Sequence, residues 1–326
     1  MGLIYSDIPE LDGRDTDLVL RNLKETEDEL DRIVEKRLAH LVELSNSVIN
    51  DGGDPDIIKS IILSLKSDSY DNSENIIEEN RSGASAVYSR LSFTERMIIC
   101  ENIAKRLFTD KRLATDLLFG ESDEISNAAS ERIAYLKNSY NDNVYMQFSA
   151  LFSSPRAAYF ESVTDVCESV YNENCEYCIL PIETSSDGKL TAFYEIILKY
   201  GFKITAVYDL SHSENKKYTR YALLGKKLRR ETSKEAVIKS KSKAKFFEFA
   251  VECDEYPTIT DILCAADYCS MQLRRIDTLN FISEKSQKSP LICPVFGIDG
   301  SDFLTFMTFL SIDCPDFYTI GIYRQI

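Results

Sequence analysis

The stretch with the clearest chemical potential runs from Cys178 to Gly188, where an apolar strand leads into three hydroxyl residues. These are Thr184, Ser185 and Ser186, and the pattern predicts that their loop opens an amphipathic helix. The first turn of a helix has N–H groups without intrahelical partners and lies at the positive end of the helix dipole. Hydroxyl donors at the same place would complete a binding site for a small carboxylate.

Composition narrows the classes of function. The 326 residues are 44% apolar and 28% charged, which is typical of a folded protein with two or three domains. A net charge of −15 argues against a nucleic-acid partner, which requires a concentrated basic face. No apolar run reaches the length that a bilayer requires, so we expect no membrane partner.

Cysteine and histidine usage points to a reduced compartment without cofactor chemistry. Nine cysteines, an odd number that lies mostly in apolar segments, indicate reduced thiols in a cytoplasmic protein. The two histidines, His40 and His212, form no recognisable triad or metal-ligand pattern. We therefore expect neither a cofactor nor a metal.

The N-terminal part of the chain, residues 1–130, is predicted to be a helical domain. Apolar residues at helical spacing predict one long helix over residues 16–50. A short helix is predicted over residues 56–66, and Ser92 and Glu95 form a capping box before a further helix predicted over residues 97–107.

The remaining sequence predicts two further units joined by a linker. Residues 131–228 alternate strands with helices, as in an α/β sheet, and residues 229–244 form a basic linker. Residues 245–326 follow the β-α-β-β-α-β order of ferredoxin-like units. Within them we expect a helix over 260–273 and a strand over 275–281. The predicted fold class is therefore a multidomain α+β protein.

Residues 131–228 contain two short motifs, each at one end of a predicted strand. Pro181 to Gly188 follow a predicted strand, and Thr219, Arg220 and Tyr221 open a later one. Residues 131–228 thereby resemble the catalytic domain of prephenate dehydratase, which carries Pro-Ile-Glu-Asn-Ser-x-x-Gly and then Thr-Arg-Phe. The resemblance implies that Thr219 is the remnant of a catalytic residue. It also implies a ligand-binding set of Glu183, Thr184, Ser185, Ser186 and Arg220.

The C-terminal unit, residues 245–326, looks like the ACT domain that follows this catalytic domain. Arg274 to Thr278 occupy the place of the family's Glu-Ser-Arg-Pro motif, and Pro257 to Thr260 replace its Gly-Ala-Leu segment. The resemblance implies Thr258 and Asp277 as ligand-binding residues. It also implies a homodimer and a ligand that is L-phenylalanine or another small anionic aromatic metabolite.

The helical part is weakly similar to the chorismate mutase domain that precedes the dehydratase in bifunctional enzymes. Ile33 to Arg37 look like the Leu-Leu-x-x-Arg motif of that mutase, which implies Arg37 as a ligand-binding residue. Chorismate carries two carboxylates and an ether oxygen that gains charge, so several fixed cations must surround it. Too few cations follow Arg37 for us to expect mutase activity.

The connection between Leu210 and Thr219 decides the functional expectation. The family inserts a second lobe there, whereas this chain has only Ser211 to Tyr218, enough for a hairpin but not for a lobe. Loss of carboxylate and hydroxide together requires a dry, enclosed site. We therefore expect a catalytically reduced relative of the phenylalanine branch that acts as a ligand-binding or regulatory dimer. Two alternatives remain, namely an active enzyme completed by another chain and an interaction protein without a ligand.

Overall fold

A computed structural model of the protein describes residues 13–50, 91–107, 131–211, 217–228, 244–252, 257–279, 291–314 and 317–326. The helices within these residues are α1 Gly13–Asn50, α2 Phe93–Leu107, α3 Ser139–Ser149, α4 Val163–Tyr171, α5 Thr191–Tyr200, α6 Ile259–Tyr268 and α7 Phe303–Asp313. The strands are β1 Glu131–Leu136, β2 Pro155–Phe160, β3 Tyr177–Thr184, β4 Gly188–Lys189, β5 Lys203–Ser211, β6 Tyr218–Gly225, β7 Lys245–Glu252, β8 Gln272–Leu279, β9 Leu291–Gly297 and β10 Tyr318–Gln325.

Local sequence signals set several helix ends. The long helix predicted over 16–50 is confirmed by α1, and the predicted capping box begins α2. The short helix predicted over residues 56–66 lies outside the described residues. In that box Ser92 N–H donates to Glu95 Oε2 at 2.9 Å, and Glu95 N–H donates back to Ser92 Oγ at 3.4 Å. At the other end of a helix, Gly201 closes α5 in the left-handed conformation with φ 69°, which glycine adopts without a steric penalty.

The helix predicted over 260–273 is confirmed over residues 260–268 and wrong over residues 269–273. Helix α6 ends at Tyr268, and Ser270 adopts a left-handed conformation with φ 57°. Strand β8 then begins at Gln272, earlier than the strand predicted over 275–281. The chain turns at Ser270, and Leu273 then pairs with Phe296 of β9 instead of continuing the helix.

All ten strands belong to one mixed sheet, in the order β2-β1-β3-β6-β5-β10-β7-β9-β8, with β4 paired to β3. Strands β7 to β10 and helices α6 and α7 have the β-α-β-β-α-β order that the sequence predicts for residues 245–326. The two parts of the sheet join where β10 lies parallel to β5, opposite Ile204 at Gly321. The α/β part and the C-terminal part therefore share a continuous sheet.

Three apolar clusters cover this sheet. Helix α3 packs on one face of the α/β part, and α4 and α5 pack on the other. Helices α2, α6 and α7 share a third cluster with Phe247, Phe249 and Phe296 of the C-terminal strands. Helix α2 thus packs in the core of the C-terminal part, although the sequence assigns it to residues 1–130.

Strands β5 and β6 form a hairpin that bears on the expectation of a missing lobe. They are antiparallel and remain paired up to Ser211 opposite Tyr218. The connection is therefore restricted to residues 212–217, and no second lobe lies between these two strands.

None of the described helices combines the length and apolar character that crossing a bilayer demands.

Candidate functional site

The hydroxyl residues Thr184, Ser185 and Ser186 lie in a tight hairpin turn between β3 and β4. The expectation that they open a helix is wrong, because the chain first folds back over Gly188 and Lys189 to pair with β3. Helix α5 begins only after Leu190, whose side chain makes no capping hydrogen bond. The turn therefore lacks the helix dipole on which the predicted carboxylate site depends.

The hydroxyl donors of this turn are already directed at an acidic side chain. Thr184 Oγ1 donates to Asp187 Oδ2 at 2.8 Å, and Ser186 Oγ donates to the same oxygen at 3.0 Å. Asp187 N–H in turn donates to Thr184 Oγ1, which is the pattern of a local side-chain turn. Ser185 Oγ accepts from the Tyr218 N–H. An incoming carboxylate would have to compete with Asp187.

The sheet separates the predicted site residues onto its two faces. Thr184 and Thr219 are cross-strand partners on β3 and β6, and Glu183 and Arg220 are the next pair along. Because successive side chains on a strand alternate between faces, Thr219 points to the α3 face, whereas Arg220 points to the opposite face. The predicted catalytic threonine and the predicted charged residues therefore do not form one site.

Two other predicted ligand residues serve local structure elsewhere. Arg37 lies on α1 and forms an ion pair with Glu95 of the α2 capping box. Thr258 is the N-cap of α6, where its hydroxyl accepts from the Asp261 N–H and the Asp261 carboxylate accepts from the Thr258 N–H. Among the described residues, these hydrogen bonds and ion pairs link neither Arg37 nor Thr258 to Glu183, Arg220 or Asp277.

Asp277 joins Glu183 and Arg220 through a chain of ion pairs between the two parts of the sheet. Arg275 of β8 donates to Glu183 Oε2 at 2.8 Å and to Asp277 Oδ1 at 2.7 Å. Lys189 Nζ lies 2.6 Å from Asp277 Oδ2 and 2.8 Å from Glu248 Oε1. Three sequence-predicted residues are therefore brought together, by contacts with Arg275 and Lys189.

The network ends on Arg220 at one side. Arg220 binds Asp209 with two parallel hydrogen bonds, Nε to Oδ1 at 2.7 Å and Nη2 to Oδ2 at 3.0 Å. This pairing raises the pKa of Arg220, so its guanidinium stays charged. The Tyr218 hydroxyl donates to Glu183 Oε1 at 2.7 Å, and this hydrogen bond raises the pKa of Tyr218.

At the other side the network ends on Glu248, which is 2% exposed. Its Oε1 accepts from Tyr194 at 2.6 Å, and its Oε2 accepts from Tyr323 at 2.7 Å. Burial, followed by the nearby Glu248 charge, raises the pKa of both tyrosines well above the ordinary value. Both phenols therefore remain protonated donors to the buried carboxylate.

A cavity of about 430 Å³ lies against this network, between the α/β part and the C-terminal part. Its charged lining residues are Glu183, Lys189, Arg220, Glu248, Arg274 and Arg275. Its apolar lining residues include Ile182, Val207, Phe246 and Val295. A concave site of this volume, with an apolar body and a few convergent charges, is typical of small-molecule binding.

Sequence reasoning missed most of this lining, including Lys189, Glu248 and Tyr323. One signal was present, because Glu248 is a single charge inside the apolar run Phe246 to Val251. A charge at an inward strand position needs a buried partner, which predicts an ion pair but not its identity. The partners Lys189, Tyr194 and Tyr323 come from β4, α5 and β10, which are distant in sequence from β7.

Comparison with known families gives one match. The family model described as prephenate dehydratase matches residues 133–215, which end within the β5–β6 hairpin region. A comparison with curated protein sequences gives no match.

Solved structures resemble part of the chain. A prephenate dehydratase from Streptococcus mutans is 19% identical and has a TM-score of 0.47, covering 60% of this chain and 98% of its own. The quorum-quenching acylase GqqA is 13% identical with a TM-score of 0.44, covering 59% of this chain and 94% of its own. A prephenate dehydratase from Arthrobacter aurescens, solved in complex with L-Phe, is 12% identical with a TM-score of 0.41, covering 59% of this chain and 89% of its own. Residues 133–215 are thus similar to a prephenate dehydratase domain.

Proposed function

We propose that this chain is a catalytically reduced relative of prephenate dehydratase that binds a small anionic aromatic metabolite. The observation that carries the proposal is the β5–β6 hairpin, which pairs to Ser211 and Tyr218 where the family inserts its second lobe. The family match over residues 133–215 supports the relationship. Thr219 lies on the α3 face, and no second lobe formed by the described residues encloses its hydroxyl.

The chemistry explains why the hairpin reduces catalysis. A threonine hydroxyl assists the departure of carboxylate and hydroxide only as a hydrogen-bond donor, and this effect depends on exclusion of water. In water each polar interaction is several-fold weaker than in a closed site. In the described part of the chain Thr219 is half-buried in a single lobe, and a single lobe provides one wall of the closed site that the reaction requires.

A turnover assay tests the loss of catalysis. We expect no formation of phenylpyruvate from prephenate above the uncatalysed rate, with Thr219→Ala indistinguishable from the unmodified chain. Turnover that disappears in Thr219→Ala would instead favour an active enzyme completed by another chain. We also expect no conversion of chorismate, since Arg37 is engaged by Glu95.

A binding screen tests the second half of the proposal. L-Phenylalanine, L-tyrosine, phenylpyruvate, prephenate and chorismate are added separately, and the midpoint of thermal unfolding is measured for each. A ligand that binds the folded state alone raises this midpoint. No shift with any of the five compounds would contradict ligand binding and leave an interaction protein without a ligand.

We further propose that the chain forms a homodimer through its C-terminal part. Strand β8 ends the sheet order, and on the face turned away from the cavity Leu273 and Ile276 are 44% and 41% exposed. An outer strand with exposed apolar residues is a ready surface for self-association. Light scattering coupled to size exclusion should give twice the chain mass, and Leu273→Glu should restore the monomer.

The domain division and cytoplasmic location predicted from the sequence stay predictions.

A further inference from the structure

The cavity between the two parts of the sheet carries a more specific inference, which rests on the proposed binding of an anionic metabolite. One wall comes from β3, β4, β5 and β6, and the other comes from β7, β8, β9 and β10. Neither Thr219 nor the hydroxyl turn of Thr184 to Ser186 lines it. It is therefore separate from the catalytic remnant that the sequence motifs indicate.

A β-bulge directs two consecutive arginines of β8 at this cavity. Leu273 pairs with Phe296 and Arg275 pairs with Val295. Phe296 and Val295 are adjacent on β9, so Arg274 is an extra residue on β8 without a pairing partner in this register. A bulge of this kind interrupts the alternation of faces and re-aims a side chain. As a result both Arg274 and Arg275 line the cavity, although adjacent residues of a regular strand would face apart.

The neighbouring strand leaves space for the guanidinium of Arg274. A Cβ atom at Gly297 would lie 3.2 Å from Arg274 Nε and 3.5 Å from its Nη2. A methyl group at position 297 would therefore push this side chain aside by a few tenths of an ångström, and a larger side chain would push it further. Glycine here allows the guanidinium to lie against the β9 backbone beside the cavity.

Arg274 differs from the other cavity cations in its electrostatic partners. Lys189, Arg220 and Arg275 each form ion pairs with at least two of the network carboxylates. Among the described residues, Arg274 donates from Nη2 to a neutral amide, Gln272 Oε1, at 2.7 Å. A guanidinium has five N–H donors and binds carboxylate best with two parallel hydrogen bonds. Arg274 can therefore accept a carboxylate without breaking an existing ion pair.

Because Arg274 is the cavity cation outside these ion pairs among the described residues, we expect the ligand to carry one anionic group. A second carboxylate would have to take Lys189, Arg220 or Arg275 from its partner, which would leave a partly buried acid uncompensated. The apolar lining residues Phe246, Val207 and Val295 suit an uncharged body. We propose that the cavity binds small monocarboxylates with an aromatic or similarly apolar body, with Arg274 holding the carboxylate.

Three matched probes test the proposed ligand class on the full chain. The affinities of 3-phenylpropionate, benzylmalonate and 3-phenyl-1-propanol are measured by isothermal titration calorimetry, since they carry one, two and no carboxylates on a similar body. We expect 3-phenylpropionate to bind about tenfold or more tightly than either of the others. Equal or tighter binding of benzylmalonate would overturn the restriction to one carboxylate.

Variants test the assignment to Arg274. Arg274→Gln should weaken 3-phenylpropionate binding about tenfold or more, and Gly297→Ala should weaken it by displacing the same guanidinium. Arg156→Gln on the exposed part of β2 is the matched control and should leave the affinity unchanged. Thermal unfolding without ligand checks that each variant is folded.

The outcomes separate this inference from the proposed function. If the unmodified chain binds one of the screened metabolites but Arg274→Gln and Gly297→Ala bind it equally well, the cavity is not the site and the proposed function stands. If the unmodified chain binds none of the metabolites or probes, both the cavity assignment and the proposed ligand binding are wrong.

Discussion

Glu248 illustrates how one buried charge ties the α/β part to the C-terminal part. It lies on β7, yet its partners Lys189 and Tyr194 come from β4 and α5. A carboxylate excluded from water is tolerated only when its oxygens are fully hydrogen-bonded, and Glu248 accepts from these two residues and from Tyr323. Glu248 therefore matters for stability because its carboxylate is the shared acceptor of these three donors.

Glu248→Gln tests this role. The amide cannot accept from all three donors, and it leaves Lys189 with Asp277 as its remaining acid. We expect the free energy of unfolding to fall by about 3 kcal/mol, as measured by urea denaturation. Glu195→Gln on the exposed face of α5 is the control and should change stability by less than about 0.5 kcal/mol. A similar small effect of both variants would contradict a stabilising network.

Lys203 provides a second prediction at the residue scale, through the pH dependence of stability. Its ammonium donates to the Thr319 carbonyl and lies 3.6 Å from the centre of the Tyr318 ring. Burial lowers its pKa from 10.5 to about 8. Between these two pH values the unfolded chain binds more protons at this lysine than the folded chain does, so unfolding becomes less favourable as the pH rises.

Comparison with Lys203→Met isolates this effect from the tyrosines that titrate nearby. From pH 8 to pH 10 we expect the unmodified chain to gain about 2 kcal/mol of stability relative to the variant. Urea denaturation at several pH values measures the difference. A difference that is flat or falls with pH would mean that the lysine keeps an ordinary pKa in the folded chain.

At the scale of elements, bulges decide which side chains meet in the cavity. The bulge at Arg274 has a counterpart on β3, where the pairing with β6 shifts between Pro181 and Glu183. As on β8, two consecutive residues, Ile182 and Glu183, then line the cavity. Regular strands would turn one residue of each pair to the opposite face. Irregular pairing on β3 and β8 therefore places additional charged side chains in the lining of the cavity.

Helix capping gives the prediction for this scale. Thr258 begins α6 through a reciprocal capping box with Asp261, although the family resemblance implies a ligand contact there. Thr258→Ala should lower the free energy of unfolding by about 1 kcal/mol, because an N–H at the start of α6 loses its acceptor. Thr258→Ser keeps the hydroxyl and should retain most of the stability. If Thr258→Ala instead abolished ligand binding at unchanged stability, the implied ligand role would be favoured.

For the whole molecule, the junction between β10 and β5 determines the shared sheet and the cavity beside it. Strand β10 pairs with β7 on one side and with β5 on the other. Gly321 lies at this junction, and a Cβ atom there would lie 2.6 Å from the Ile204 carbonyl oxygen. The backbone approach at this point requires glycine, since a carbonyl in a paired strand cannot move aside easily.

Gly321→Ala should therefore destabilise the molecule as a whole. We expect a loss of about 2 kcal/mol or more in urea denaturation, together with weaker binding in the cavity that the junction holds in place. Gly300→Ala is the control, because Gly300 has φ 75° with open space around it and should cost about 1 kcal/mol. Equal losses for the two variants would show that the junction tolerates a side chain.

The sequence by itself determined most of the elements and their order, but not strand β4 or the end of α6. Periodicity and capping residues are local signals, so they identified α1, the start of α2, the end of α5 and the β-α-β-β-α-β order of residues 245–326. The shortness of the Ser211–Tyr218 connection was equally readable, since chain length limits what can be inserted. The motifs likewise singled out Glu183, Arg220 and Asp277, which the network connects.

Only the tertiary structure decided which of those residues form a site. A turn of three residues, Ser185 to Asp187, pairs β4 back onto β3 and keeps Thr184 to Ser186 away from the start of α5. Strand alternation separates Thr219 from Arg220, while bulges bring Arg274 and Arg275 to one side. These outcomes depend on pairing between strands far apart in sequence, and a register change of one residue reverses the face of every side chain. Local patterns contain no information about that register.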